Sequence, residues 1–559
     1  MLEKAEQWRE RHGVKFEPSK YVLTHFSRSR IPPAASIKIG HATIEPANEA
    51  KYLGVIFDRK LRFTQHIQHA AKKGTRFALA ISRIAKSTWG ASYQQTRMLF
   101  TSVVAARIDY AAIVWHRPKQ EGHTSPSAQI SKIESAQRTA MKAILGAFRT
   151  TATASLEVET SLEPAYLRIR SKVLRTYTQM QTAPPTNPIS ATVKRAKSST
   201  SNVHITALEY LARTFPQHSQ GIEIIKPFPR PPWWEPTHSI DVSPNKEIAK
   251  HEHNEDVHEE SEDILFIYTD GSGIESQIGA AAYSPQLSQT KHLYLGTDKE
   301  FNVYTAELSA IQLATDIAYN APQTFTKCRI YTDSQAAIKA TVKPSKQSGQ
   351  TILCNAIAEL EKLTTDKGIT TEIAWIPGHM DIEGNDKADN AAKKAALSKG
   401  SNPSIAKIQQ LPLRASRINC IRQATKTDWN TAWTNNKSDS RMLRKITAQY
   451  NVYDSAKIYG TITKRNDVAL LARLRTGHCS VNQYLHRFGI EDSPLCSCES
   501  GAIETVDHYL TNCPKYDQQR SKLMRGVGVG GMWIDKLLGD INLVKHTLEY
   551  VKDTQRLDF

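Results

Sequence analysis

Two short phrases share a pattern, "FIYTDGSG" at residues 266–273 and "RIYTDSQAA" at residues 329–337. In each, a run of strand-forming residues ends on a carboxylate, Asp270 in the first and Asp333 in the second. If the two runs pair in one sheet, both carboxylates emerge at the same edge. Glu307, in "YTAELSAIQLA", shares a helical stripe with Ile311, Ala314 and Ala318, and Asp389, in "GNDKADNAAKKAA", shares one with Ala392 and Ala396. Both acids therefore sit on faces that their apolar neighbours turn inward. A half-buried carboxylate is costly unless it is paired or metal-bound. Four aimed at one place would repel one another strongly, and divalent cations relieve that repulsion. Taken singly the residues have plainer explanations. Asp270 could be a turn residue before Gly271, Asp333 a helix N-cap, and Glu307 a first-turn acid facing the helix dipole. In this order and on this element pattern, a shared site explains all four better.

A second cluster, "CSCESGAIETVDHYLTNC", spaces Cys496, Cys498, His508 and Cys513 as C-x-C-x9-H-x4-C. Three thiols and one imidazole make a complete tetrahedral set for Zn²⁺. The alternative is a group of reduced, buried cysteines with a surface histidine. His478 and Cys479 stand nearby as substitute ligands. His251, His253 and His258 in "HEHNEDVHEESED" are also metal-ligating types. With no apolar periodicity, that stretch reads instead as a solvated acidic linker.

The elements that must position the four acids lie in residues 263–399. A strand at 264–269 leads to a Gly-Ser-Gly turn, and "IGAAAYS" and "KHLYLG" follow as strands. A helix covers about 304–319, a strand 328–332, a short helix 334–341 and another helix 350–365. "TTEIAWI" is a fifth strand, and a last helix starts near Gly384. This order predicts an α/β fold, a mixed five-stranded sheet with flanking helices. Upstream, Ile67, Ala71, Gly74, Ala78, Ile81 and Ala85 form a helical stripe, with Lys72, Lys73, Arg76, Arg83 and Lys86 mostly off it. A later helix carries Ile130, Ile133, Ala140 and Ile144. Such basic faces contact phosphate backbones in some proteins and are merely solvated in others. "TAPPTNP", "KRAKSSTS" and "KPFPRPPWWEP" mark residues 182–262 as a Pro-rich and acidic spacer, with one helix at "HITALEYLART".

Composition sets the frame. The chain has 559 residues and a formal charge of +18, from 73 Lys and Arg against 55 Asp and Glu, which suits a polyanionic partner such as nucleic acid. Seven cysteines, all after residue 327, do not read as a secreted disulfide framework. Neither a membrane span nor a signal peptide is expected, so the reading is an intracellular protein, nuclear or cytoplasmic.

The segments "YTDGSG", "TAELSAI", "YTDSQAA" and "WIPGHMDIEGNDKADNAAK" resemble the four signature segments of type 1 ribonuclease H. The resemblance implies an endonuclease that hydrolyses the RNA strand of RNA–DNA hybrids with two Mg²⁺ ions, for which Mn²⁺ substitutes. Its metal-binding acids fall on Asp270, Glu307, Asp333 and Asp389, and its mobile-loop histidine on His379. Gly271, Ser334 and Gln335 match positions that approach the RNA strand, where 2′-hydroxyls are read. Hard oxygen ligands suit Mg²⁺, which keeps several waters and needs no sulfur or imidazole.

"WRERHGVKFEPSKYVLTHFSR" and "KYLGVIFDRKLRFTQHI" resemble the end of the palm and the start of the thumb of reverse transcriptases in non-LTR retrotransposons. The linker-like "PFPRPPWWEP" and the region around the C-terminal cysteines resemble parts of the same elements. The implied division is a palm remnant at 1–60, a helical thumb and connection at 61–181, the spacer at 182–262 and the nuclease at 263–399. A helical region at 400–484, a zinc-binding module at 485–520 and a tail at 521–559 complete it. The Tyr-x-Asp-Asp sequence of such polymerases is not in this sequence, so no reverse transcriptase activity is expected. The rival reading is an inactive retrotransposon remnant that only binds nucleic acid.

Overall fold

The computed structural model describes residues 2–557 apart from 28, 32, 40–41, 124–127, 201–204, 259–261, 379, 402–410, 436–440 and 448–453. It divides into two compact units, Met1–Val173 with Thr425–Phe559, and Leu174–Ala424.

In the first unit the predicted stripe becomes α1 (Thr64–Ile84), which buries Ile67, Ala71, Gly74, Ala78 and Ile81. Lys72, Lys73, Arg76 and Arg83 stay exposed. The entry to α1 is fixed by Asp58, whose carboxylate accepts from the backbone N–H groups of Lys60, Arg62 and Phe63. α1 packs on α2 (Ser131–Leu145), where Ile133, Ala140 and Ile144 are buried. Residues from both stretches of chain share this unit's interior. Arg475, on the helix Arg465–Thr476, pairs with Glu159 at 2.8 Å where neither has measurable exposure to solvent beyond 1%.

The second unit is built on a six-stranded mixed sheet. Its strands are β1 (Ser239–Asp241), β2 (Ile264–Ile274), β3 (Gln277–Ser284), β4 (Gln289–Thr297), β5 (Lys327–Thr332) and β6 (Thr370–Trp375). They lie in the order β1-β6-β5-β2-β3-β4, parallel from β1 to β2 and antiparallel beyond. Five of them are the predicted strands. β1 is the addition, a short edge strand from the segment read as a spacer. One face of the sheet buries Leu265, Ile267 and Ile330 under α4 (Val303–Tyr319) and α6 (Gln350–Lys367). Phe266, Tyr268 and Tyr331 face the other way, towards α7 (Glu383–Ser398), as the two-residue period of a strand requires.

Two sequence expectations change. Gly271-Ser272-Gly273 is not a turn but continues β2. The reversal falls at Glu275-Ser276, whose φ values of 48° and 61° suit a two-residue hairpin loop between twisted strands. The stretch read as a solvated acidic linker is instead largely the helix α3 (Lys246–His258), with Ala249 and His253 buried. Other parts of the presumed spacer are anchored too. Trp234 packs against the main core and donates from Nε1 to Glu361 at 2.8 Å, and Arg230 pairs with the same carboxylate at 3.1 Å. Isolated anchors of this kind leave no periodic trace in a sequence.

Candidate active site

β2 and β5 are adjacent and parallel, with Tyr268 opposite Tyr331 and Thr269 opposite Thr332. The next residue on each is the carboxylate, so Asp270, within β2, and Asp333, just past the end of β5, stand side by side. Asp333 is followed by Ser334, which caps the short helix α5 (Gln335–Val342). Glu307 comes from the first turns of α4, whose start is fixed by a capping box between Asn302 and Thr305. Gly271 lets this helix come close. A Cβ there would lie 2.5 Å from the Glu307 nitrogen and 2.8 Å from the Ala306 carbonyl carbon. Oxygens of Asp270, Glu307 and Asp333 lie within 4.8 Å of one another.

The electrostatics follow from this crowding. Burial first, then the charges of Asp333 and Asp389, push Asp270 up to about 7, while Lys393 pulls it back. Burial raises Glu307 well above its ordinary value, helped by Asp270 and Asp333 and opposed by a hydrogen bond from the Gly271 backbone. Glu307 Oε2 is buried with no hydrogen-bond partner. An orphaned carboxylate oxygen among two further carboxylates fits a hard divalent cation, since Mg²⁺ prefers oxygen ligands.

Asp389 projects from α7 next to this trio but is not one of its three members. Its carboxylate pairs with Lys393 at 2.6 Å, one helical turn on, yet its charge still reaches Asp270. That i,i+4 spacing is visible in the sequence but escapes a reading confined to acids. Gly378 is a second omission: a Cβ there would stand 2.7 Å from Asp333 Oδ2. Nothing in the local sequence distinguishes this contact from an ordinary turn glycine. Ser334 and Gln335 are half-buried beside Asp333, and Gln335 accepts from Lys339. His379 lies outside the described residues.

In the first unit, one ligand atom from each of Cys496, Cys498, His508 and Cys513 lies within 4.8 Å of the others. Cys496 Sγ and Cys513 Sγ are 3.6 Å apart, and Cys498 Sγ is 3.4 Å from His508 Nε2. With Zn–S bonds near 2.3 Å, tetrahedral ligands sit roughly 3.8 Å apart, so the spacing fits Zn²⁺. A bridge between Leu495 and Ile503 supports the first cysteine pair, and Cys513 N–H donates to the His508 carbonyl at 2.8 Å. Cys479 and His478 are not in the cluster. Nor do His251, His253 and His258 join any metal-binding group among the described residues.

The RNase H family model matches residues 262–397. A 115 kDa protein of the type-1 retrotransposable element R1DM of Drosophila melanogaster is 22% identical over 153 residues, 27% of this chain but only 14% of that protein. RNase H1 of the archaeon Halobacterium salinarum is 19% identical over 24% of this chain and 99% of its own, with a TM-score of 0.19. An N-terminal RNase H domain from Mycobacterium tuberculosis is 16% identical, covering 24% of this chain and 98% of its own, with a TM-score of 0.18. The four acidic positions fall within the span that the family model matches, and residues 262–397 are an RNase H domain.

Proposed function

We propose that this chain hydrolyses the RNA strand of RNA–DNA hybrids. The observation that carries the reading is the meeting of Asp270, Glu307 and Asp333 within 4.8 Å at the edge of an RNase H domain. Asp270, Glu307 and Asp333 would hold Mg²⁺, with Asp389 completing the ligand set. When bound, a pair of Mg²⁺ ions supplies an activated water and neutralises the phosphate and the leaving oxygen. The chain's own residues prepare that site. Asp270, pushed up to about 7, would have to give up its proton to serve as a ligand. The Gly271 N–H holds one Glu307 oxygen and leaves the other for a cation. Lys393 steadies Asp389 at the rim. Ser334 and Gln335, beside Asp333, and the backbone at Gly271 would meet the RNA strand, and His379 would assist proton transfer or product release. The exposed cations of α1 supply a salt-sensitive grip on the phosphate backbone.

Cys496, Cys498, His508 and Cys513 would hold a structural Zn²⁺, a closed set of four ligands with no position left for a substrate. The test of the main reading is cleavage of a hybrid labelled on its RNA strand by the purified chain. Asp270→Asn should abolish cleavage in Mg²⁺ and in Mn²⁺, because an amide of the same shape is a far poorer ligand. Equal rates for the two proteins would overturn the assignment.

A further inference from the structure

The two phrases that carry Asp270 and Asp333 also repeat a tyrosine, two residues before each acid. Tyr268 and Tyr331 are register partners, and their rings stack at 5.2 Å. A strand's two-residue period puts Tyr268 on the same face of the sheet as Asp270, about 7 Å along the strand. Packing alone does not call for hydroxyls here, since phenylalanine would fill the same space, as Phe266 does in the next stack. Both hydroxyls are buried against the sheet and both are held by α3. The Tyr268 hydroxyl is 2.8 Å from His253 Nε2, and the Tyr331 hydroxyl donates to Asp256 Oδ2 at 3.0 Å.

Each holder is itself held. His253 is buried, and its Nδ1 faces Asn254 Oδ1 at 3.2 Å. A proton on Nδ1 satisfies Asn254 and leaves Nε2 to accept from Tyr268. Asp256 pairs with Arg329 at 2.6 Å, and Arg329 also reaches Asp241 on β1 and Glu372 on β6. The Tyr268 ring also meets Gly384, where any Cβ would clash, at the start of the helix that carries Asp389.

We propose that α3 braces the catalytic edge: His253 and Asp256, by fixing the Tyr268 and Tyr331 hydroxyls, set the separation of Asp270 and Asp333 and so the affinity of the site for divalent cations. The proposal rests on the nuclease reading above. It makes these four positioning residues, lying outside or at the border of the ligand set itself. It also explains why the acidic segment before the domain is a docked helix.

The test uses the full chain as wild type, the double variant Tyr268→Phe/Tyr331→Phe, and His253→Gln, which keeps an acceptor for Tyr268. Mn²⁺ affinity is measured by electron paramagnetic resonance titration, alongside kcat and KM for hybrid cleavage, at a temperature where each protein is folded by circular dichroism. The double variant should bind Mn²⁺ about tenfold more weakly and lose kcat at limiting metal, the usual scale for groups that orient ligands. Its KM for hybrid should stay unchanged, and His253→Gln should remain close to wild type. A double variant with wild-type Mn²⁺ affinity and kcat, whatever its Tm, would overturn the brace and leave the nuclease reading standing. A wild type that neither binds Mn²⁺ nor cleaves hybrid would overturn both.

Discussion

Burial and the neighbouring charges raise the Asp270 carboxyl from 3.8 to about 7, the reverse of the usual native carboxylate. Between those two values the native chain holds a proton that the unfolded chain has lost, so stability falls as pH rises across this window. By pH 8 the penalty from this one group is of order a few kcal/mol without metal. A bound divalent cation removes it. Mg²⁺ should therefore raise the Tm of the unit that holds the RNase H domain more at pH 8 than at pH 5, read by differential scanning calorimetry. Asp270→Asn should raise the metal-free Tm at pH 8 while abolishing cleavage, and a metal-free Tm below wild type would contradict the electrostatic account. At this scale the sequence was informative about acids, because each follows an apolar strand run or shares a helical stripe with apolar residues. It was silent on Gly378, whose meeting with Asp333 is made by a loop, and Lys393 was legible only to a reader counting four residues on from Asp389.

The elements that carry the acids owe their closeness to glycines. α7 lies so near β3 that a Cβ on Gly279 would stand 2.6 Å from the backbone nitrogen of Ala396. Gly279→Ala should push α7, and Asp389 with it, off the sheet. The expected loss is about 1–3 kcal/mol, the usual scale of overpacking, with a larger fall in kcat than in hybrid affinity. Chemical denaturation and steady-state kinetics on the same preparation check both parts; an unchanged kcat would show that Asp389 does not need this seat. The strong periodicities of β2–β6 and of α4, α6 and α7 made these elements readable, since each buries a face of its own. α3 and β1 were not readable. α3 has one buried alanine and one buried histidine among acids, and β1 is three residues long; both take their order from Arg329, Tyr268 and Tyr331, far away in sequence. The glycines of 271–273 misled for a related reason, serving helix approach rather than a turn.

Across the whole molecule, the unit formed by Met1–Val173 and Thr425–Phe559 depends on contacts that no local pattern announces, such as Glu159 with Arg475. The Cys/His cluster belongs to this unit and is wired into its C-terminal helix, Val544–Thr554. The Tyr509 hydroxyl meets Thr554 Oγ1 at 2.6 Å, Tyr550 donates to the Tyr509 carbonyl at 2.6 Å, and Arg556 pairs with the buried Glu504 at 2.6 Å. Cys498 is held down at about 6, chiefly by the Ser500 hydroxyl, whereas burial pushes Cys496 up to about 12. Zn²⁺ would draw so unlike a set of thiols into one site, and its binding would then be folding free energy for the module. The purified chain should carry about one zinc, and Cys513→Ser should lose it. Removing zinc with a chelator should raise hydrogen exchange across residues 495–516 and, through Tyr509 and Glu504, across 544–556. Exchange in residues 262–397 should not change, and hybrid cleavage in Mg²⁺ should persist after the chelator is removed, because the proposed nuclease site would use oxygen ligands of the other unit. Zinc-free protein with full protection over 495–516 would leave the cysteines as ordinary packed thiols. Protection lost at 495–516 but kept at 544–556 would show that the cluster staples only its own loop.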